Sequence, residues 1–392
     1  TSLYDRFIAK GAVMGDSFGL ETALWFAKNP KDAHEEPTFK RSRCHNYVAE
    51  EVKAVRNFVG ATEIANFAKH EFTGKGARKF LDYILAGKIP KPGRIILTPM
   101  LTPKGKLYGD LTVACLNEEK FIVFGSGAAQ EMHRRWFEKF LPKKDVNYIN
   151  KSDDFHGIAI SGPNSRKLLS KICRDDVSDK MFKFRDTRET FVGGVPAILN
   201  RISFSGELSF EIAVPSQYGL EFWKRCLDFG SKLGITPYGT EALHVMRAEK
   251  GFIMIGDETD GTVIPQDLNL GWAVSKKKKD FIGKRAQERI FMNDPNRKTL
   301  VGLSLKNSSE KIPDGAYAIL GGEGQAGNDV IGHVTSTYFS PTLNKPIAMA
   351  LLKNGKNLQG QTIEIPVDSK KNLKATVTEP KFYDVEGSRQ ND

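Results

Sequence analysis

The sequence predicts an α+β fold that ends in a small all-β domain, and three observations lead there. At 392 residues and 40% hydrophobic content, the chain is too long for one ordinary core and has enough apolar side chains to fill two or three. Strand-like runs of β-branched residues alternate with helical patterns irregularly, without the regular strand–helix–strand order of a parallel sheet. Finally, a polar stretch containing Lys276-Lys-Lys-Lys-Asp280 and Asn293-Asp-Pro-Asn-Arg-Lys298 is followed only by short strand patterns. These divide the chain into an α+β domain over 1–285, a linker over 286–298 and a β-barrel or sandwich over 299–392.

Residues 1–47 mix aromatic and polar positions around the turn-rich Lys28-Asn-Pro-Lys-Asp32 and read as an irregular lead-in. Val48, Val52, Val55 and Val59 recur at three- and four-residue spacing, which predicts a helix over 48–59. Runs at 94–97, 111–115 and 121–124, bounded by Pro, Gly and Asn, predict antiparallel strands. Gly157–Ile160 followed by Ser161-Gly-Pro-Asn164 reads as a strand ending in a turn, with a helix over 165–173. The stretch 202–214 reads as a hairpin-like pair centred on Ser205-Gly-Glu207, with Phe210 and Ile212 alternating against Glu211. Helices are expected over 218–233 and 240–250, the second stopped by Gly251. Gly271-Trp-Ala-Val reads as a buried strand, and six further strands are expected at 300–305, 316–320, 330–335, 347–352, 362–365 and 373–378. No repeat or low-complexity tract interrupts this order.

The composition, 27% charged, is that of a soluble globular protein rather than a disordered one. No apolar run approaches the roughly 18 residues of a spanning helix, and the start has no signal-peptide pattern, so no membrane partner is expected. The chain begins at Thr1, which points to trimming or to excision from a longer polypeptide. Cys44, Cys115, Cys173 and Cys226 form no CxxC pair and read as reduced thiols of an intracellular protein. Lys and Arg exceed Asp and Glu by 58 − 47 = +11, which makes an anionic partner plausible without naming it.

Several motifs point away from common chemistries. Gly322-Glu-Gly324-Gln-Ala-Gly327 has dinucleotide-binding spacing but leads into a strand instead of a helix, so a hairpin turn is expected. Gly125-Ser-Gly127-Ala-Ala-Gln130 follows a strand and precedes a helix but lacks the third glycine. Histidines 34, 45, 70, 133, 156, 244 and 333 form no HxH or HxxxH pair, so no metal is expected. His244, within a helical pattern, reads as a core or lining residue. The Lys276–Lys279 run lacks the interleaved aromatics of a nucleic-acid surface and reads as a solvated face. Asp110 stands where a glycine-bearing turn meets a strand, either facing a cleft or capping the turn. Glu211 is either exposed or lines a pocket.

In order along the chain, these segments resemble the folate-dependent aminomethyltransferase family: the T-protein of the glycine cleavage system and the C-terminal halves of sarcosine and dimethylglycine oxidases and dehydrogenases. The resemblance is carried by Leu101-Thr-Pro-Lys-Gly-Lys-Leu-Tyr-Gly-Asp110-Leu-Thr-Val, Ile160-Ser-Gly-Pro-Asn164, Phe204-Ser-Gly-Glu207 through Phe210-Glu211-Ile212, and Thr236-Pro-Tyr-Gly-Thr through Arg247-Ala-Glu249-Lys-Gly251. Leu270-Gly-Trp272, Asp280-Phe-Ile-Gly-Lys-Arg285, Gly332-His-Val-Thr-Ser336 and Ser340-Pro-Thr-Leu343 continue it. Glu63-Ile-Ala-Asn-Phe67 and Ala242-Leu243-His244 depart from the T-protein, the latter removing a folate-contacting arginine, and look like the oxidase-linked branch. Lys250-Gly-Phe252-Ile253 lacks the cysteine of the relative linked to iron–sulfur upkeep.

The resemblance implies two interlocked α+β folate-binding subdomains around a central channel, followed by a C-terminal β-barrel. It implies tetrahydrofolate as cofactor, Asp110 as the catalytic carboxylate, and Tyr108, Phe204, Glu211, Arg247, Trp272 and Phe67 as folate-binding residues. The implied reaction moves an aminomethyl or methylene group from an amine-derived imine, giving 5,10-methylene-tetrahydrofolate. A non-catalytic folate module or a folate-dependent demethylase is the alternative. No flavin-binding Rossmann segment is legible, so amine oxidation is expected on a flavoprotein chain or domain elsewhere. No nucleic-acid partner is expected, and the location expected is the cytoplasm or, in a eukaryote, the mitochondrial matrix. The basic surplus is expected to serve folate capture near Lys276–Lys279 and Lys284-Arg285.

Overall fold

A computed structural model describes every residue except 18, 39–40, 306–309, 321–329, 369–370 and 392. The first half of the chain contains α1 (Tyr4–Ile8), β1 (Ala12–Ser17), β2 (Leu20–Phe26), α2 (Cys44–Asn57), β3 (Val59–Glu63), β4 (Ala68–Thr73), α3 (Ala77–Ile84), β5 (Arg94–Leu101), β6 (Leu107–Asn117), β7 (Lys120–Gly125), α4 (Gln130–Phe140) and β8 (Asn147–Asn150). There follow β9 (Phe155–Ser161), α5 (Ser165–Ile172), β10 (Thr187–Val192), β11 (Val195–Asn200), β12 (Ser209–Pro215), α6 (Gly219–Gly230), β13 (Ile235–Pro237), α7 (Thr240–Glu249) and α8 (Lys284–Gln287). The last part holds β14 (Lys298–Leu305), β15 (Tyr317–Leu320), β16 (Val330–Ser340), β17 (Lys345–Lys353), β18 (Thr362–Asp368), β19 (Lys371–Thr378) and α9 (Ser388–Asn391).

Among the described residues, three large sheets and the two-stranded β1-β2 hairpin organise these elements. One has the order β5-β6-β7-β4-β8 and another β10-β11-β12-β9-β3-β13. Within them, among the described residues, only β13 and β3 pair in parallel, so the α+β expectation holds. The third is a closed barrel, β14-β17-β16-β15-β18-β19, with β19 returning to β14, which settles barrel against sandwich. Full closure leaves no open sheet edge.

Strand alternation decides which faces are buried. On β12, Phe210, Ile212 and Val214 enter a core with Phe222 and Trp223 of α6 and Leu168 and Leu169 of α5. On β6, Leu111, Val113 and Cys115 enter a second core with Phe80 and Leu81 of α3 and Phe137 of α4. Helices thus cover one face of each sheet. The uncovered faces meet through Ile122, Ile198 and Ala213, with Phe124 and Phe155 packed on them.

The structure departs from the sequence reading in several places. The lead-in is not irregular: β1 and β2 pair as a hairpin from 12 to 26, and Trp25 at 1% exposure anchors it. Helix α2 ends at Asn57, and Val59, expected on its last turn, opens β3 instead. The strand 209–215 has no hairpin partner in 202–204; it pairs with β9 and β11, because Gly206 at φ 79° turns the preceding residues away from the sheet. Gly271–Ala273 is a single 3₁₀ turn, and Trp272 is 70% exposed rather than buried. The Gly322–Gly327 motif lies outside the described residues.

Candidate functional site

Because Phe210 and Ile212 are committed to the core, Glu211 points from the opposite face of β12, the one that meets the other sheet. The same argument applies to β6: Leu111 and Val113 face their helices, so Asp110 and Thr112 face the other way, beside Phe124 of β7. Both carboxylates therefore stand on the two sheet faces that meet.

Glu211 lines a cleft floored by β9 and β12, where Ala159 pairs with Glu211 and Ser161 with Ser209. Phe67, Ile64, Phe204 and Leu243 wall it. Ser161 Oγ and Ser209 Oγ share a 2.7 Å hydrogen bond, and the Tyr238 hydroxyl lies 3.3 Å from Ser161 Oγ. Neither Glu211 nor Asp110 has a side-chain partner among the described residues. Each keeps a sliver of accessible surface while protein surrounds it on all sides, as at the bottom of a narrow cleft. Burial lifts the carboxyl of each to about 7, opposed at Asp110 by its own backbone N–H and at Glu211 by the charge of Lys69. Carboxyls poised at that pH can exchange a proton near neutrality.

The other expected site residues are dispersed. Phe67 and Phe204 share the cleft with Glu211, and Phe204 stacks on Phe252 at 6.1 Å. Tyr108 lies against Trp136 of α4 at 4.8 Å and is absent from the cleft lining. Trp272 projects into solvent. Arg247 is fully buried, and its two terminal nitrogens donate to Glu258 and Asp257, both at 2.8 Å, to Ser336 and Tyr338, and to the Phe252 carbonyl, while its Nε has no partner among the described residues. It is placed to fasten α7 to barrel strand β16. His244 is half-buried on α7, and burial together with Arg247 lowers it to about 4, so it is neutral.

One residue near the cleft escaped the sequence reading. Lys69 is 2% exposed, and its Nζ donates to the carbonyls of Ala65 at 3.0 Å and Phe67 at 2.7 Å. Its orientation was available in the alternation of Ala68-Lys-His-Glu-Phe72, since His70 and Phe72 pack on Phe137. The strand itself was not legible, because its polar side chains look solvated. A second depression, on the barrel beside Lys298, Tyr317, His333 and Lys353, holds none of the expected site residues.

Comparison with known proteins places this architecture. Residues 3–278 match the GCVT N-terminal domain model, and residues 298–384 match the glycine cleavage T-protein C-terminal barrel domain model. The chain is 35% identical, over its whole length, to sarcosine oxidase subunit alpha of Corynebacterium sp. (strain U-96). It is 31% identical over 97% of its length to the mitochondrial dimethylglycine dehydrogenase of Homo sapiens. It spans only 40% and 43% of those two relatives. The aminomethyltransferase of Thermosipho melanesiensis is 31% identical, with 98% of this chain and 96% of that protein covered. The fold matches the crystal structure of glycine cleavage system aminomethyltransferase T from Bartonella henselae, with TM-score 0.83, 22% identity and 97% of each chain covered. The chain belongs to the glycine cleavage T-protein family.

Proposed function

We propose that this chain is a tetrahydrofolate-dependent one-carbon transferase that takes its carbon from an amine-derived imine and yields 5,10-methylene-tetrahydrofolate. The observation that carries the reading is Glu211, a half-buried carboxylate with no side-chain partner among the described residues, in a cleft walled by Phe67 and Phe204. A flat heterocycle with paired N–H donors fits that donor set: the aromatic rings take its faces, and the carboxylate accepts two charge-assisted hydrogen bonds. Reduced folate, when bound, supplies the nucleophilic nitrogen that accepts the carbon.

The chain's own residues do the rest. Glu211 and the two phenylalanines orient the ring. Asp110, on the facing sheet, holds or releases a proton near pH 7 and, when ionised, stabilises positive charge developing at the carbon. The space between the two sheet faces is read as the channel that shields the carbon from water. The imine is assigned to an amine-oxidising flavoprotein, on a partner chain or another part of the same polypeptide. Support for that assignment comes from the sarcosine oxidase and dimethylglycine dehydrogenase relatives, which are more than twice as long as the matched region.

Calorimetric titration with tetrahydrofolate, and transfer assays with a flavoprotein partner, test this reading. Wild type and Asp110→Asn are expected to bind alike, with turnover in Asp110→Asn down by about 10²-fold or more. Equal turnover would leave a folate-binding module without catalysis by Asp110, and no binding by either protein would sink the folate reading.

A further inference from the structure

Lys69 is a lysine buried at 2% exposure that satisfies itself in an unusual way. Two of its three N–H donors go to backbone carbonyls, those of Ala65 and Phe67, and among the described residues no carboxylate lies within ion-pairing distance of Nζ. Its backbone is pinned as well: the Lys69 N–H donates to Ser152 Oγ at 3.0 Å, and its carbonyl accepts from the Lys151 N–H at 2.8 Å. The ammonium is therefore held in place by the turn that carries Phe67. Strand β4 pairs Lys69 with Phe124, so the side chain leaves the sheet on the face that meets β12 and Glu211.

We propose that Lys69 is a positioning residue of the cleft, one buried ammonium that sets two recognition elements: it fixes the Phe67 wall through the two carbonyls, and from the sheet face opposite Glu211 it favours the carboxylate form that receives paired N–H donors of a ligand. The proposal rests on the folate reading of the cleft for the identity of that ligand and on the geometry of Lys69 for the rest. A carboxylate and an ammonium on facing surfaces that do not touch each favour the charged form of the other while leaving the carboxylate oxygens free for a ligand. A direct ion pair would occupy them. The charged and titratable groups around the pair are few. Lys69 feels the charges of Asp153 before β9, Glu63 on β3 and Glu211, and acts on His156 of β9, while Glu211 acts on Tyr238; His70, next to Lys69 in β4, points to the opposite face, against Phe137. Burial raises Glu211 and lowers Lys69, to about 7 and about 8, and each group opposes the other's shift.

The test needs no ligand to begin. The side-chain carboxyl carbon of Glu211, assigned with Glu211→Gln, is followed by NMR across pH in wild type and Lys69→Met. The Glu211 midpoint is expected to rise by about one unit in Lys69→Met; an unchanged midpoint overturns the proposal. Because Lys69→Met also cuts the ties to the Ala65 and Phe67 carbonyls on which folding draws, the reciprocal measurement stands beside it: the coupling acts equally on both partners, so the Lys69 midpoint must fall in Glu211→Gln, and one that stays put also overturns the proposal. Binding of 5-formyl-tetrahydrofolate is then measured from pH 5.5 to 8.5. Affinity is expected to rise with pH in wild type, with the rise displaced upward in Lys69→Met and restored toward wild type in Lys69→Arg. A loss by the same factor at every pH would show a merely structural lysine. If wild type fails to bind the reduced folate while the Glu211 midpoint still moves, the folate reading falls and the coupling stands.

Discussion

Asp110 and Glu211 are half-buried carboxyls that water solvates only in part, a state that costs the apoprotein stability. The carboxyl of Asp110 titrates near 7 in the folded chain against 3.8 unfolded, so the folded form holds its proton more tightly. Its contribution to stability is complete below about pH 4 and is lost as pH rises through 7. Asp110→Asn is accordingly expected to match wild type in thermal unfolding at pH 4 and to exceed it at pH 8 by on the order of 2 kcal/mol; parallel curves for the two proteins would contradict this. At this scale the sequence was readable where alternation could speak. Phe210 and Ile212 declare the orientation of Glu211, whereas the exposure of Trp272 and the engagement of the Arg247 terminal nitrogens depend on the rest of the fold, Ser336 and Tyr338 among the partners of Arg247.

Elements carry these residues, and two contacts show how. Strand β6 is set against α4 through Gly109, where an added Cβ would lie 2.7 Å from His133 Nε2, the atom that bonds the Tyr108 carbonyl at 3.0 Å. Gly109→Ala must push β6 from α4 within a packed aromatic core and is expected to cost ~1–3 kcal/mol, read by denaturant unfolding. Helix α7 is bound to β16 by Arg247, whose partner Glu258 is itself fully buried. Arg247→Met strands that carboxylate and is expected to lose ~3–5 kcal/mol; a smaller loss on restoring neutrality with the double change Arg247→Met and Glu258→Gln would confirm the cause. The helices α6 and α7 and the barrel strands were legible because their apolar periodicity is strong. The first hairpin and β4 were not, since their burial comes from the packing of α1, α2 and the sheets around them rather than from their own composition.

Across the whole molecule, charge and connectivity matter most. The +11 surplus is only partly free to act. Lys278 is spent on the carbonyls of Asp82 and Leu85 and on the Asp82 carboxylate, and Lys284 on the carbonyls of Lys278 and Lys279. Lys276, Lys277, Lys279 and Arg285 remain exposed. If they steer polyanionic folates, the association rate measured by stopped flow should fall as salt rises from 0.05 to 0.5 M, with dissociation little changed. Connectivity is closed by the segment after the barrel. Glu207, three residues from cleft residue Phe204, is 1% exposed and accepts from Arg56 at 2.8 Å, from Arg389 at 2.8 and 2.9 Å, and from Tyr383 at 3.2 Å. Arg56 and Arg389 both lie over the Tyr383 ring.

That last knot gives the molecule an order of assembly. A ribosome makes Phe204 and Glu207 long before Tyr383 and Arg389, and until those arrive a buried carboxylate lacks two of its three partners. The loop that carries Phe204 is thus left without its clamp while both sheets and the barrel are already made, and it is fastened only once residues 383–389 have been added. A chain stalled at residue 380 should fold yet fail to retain reduced folate.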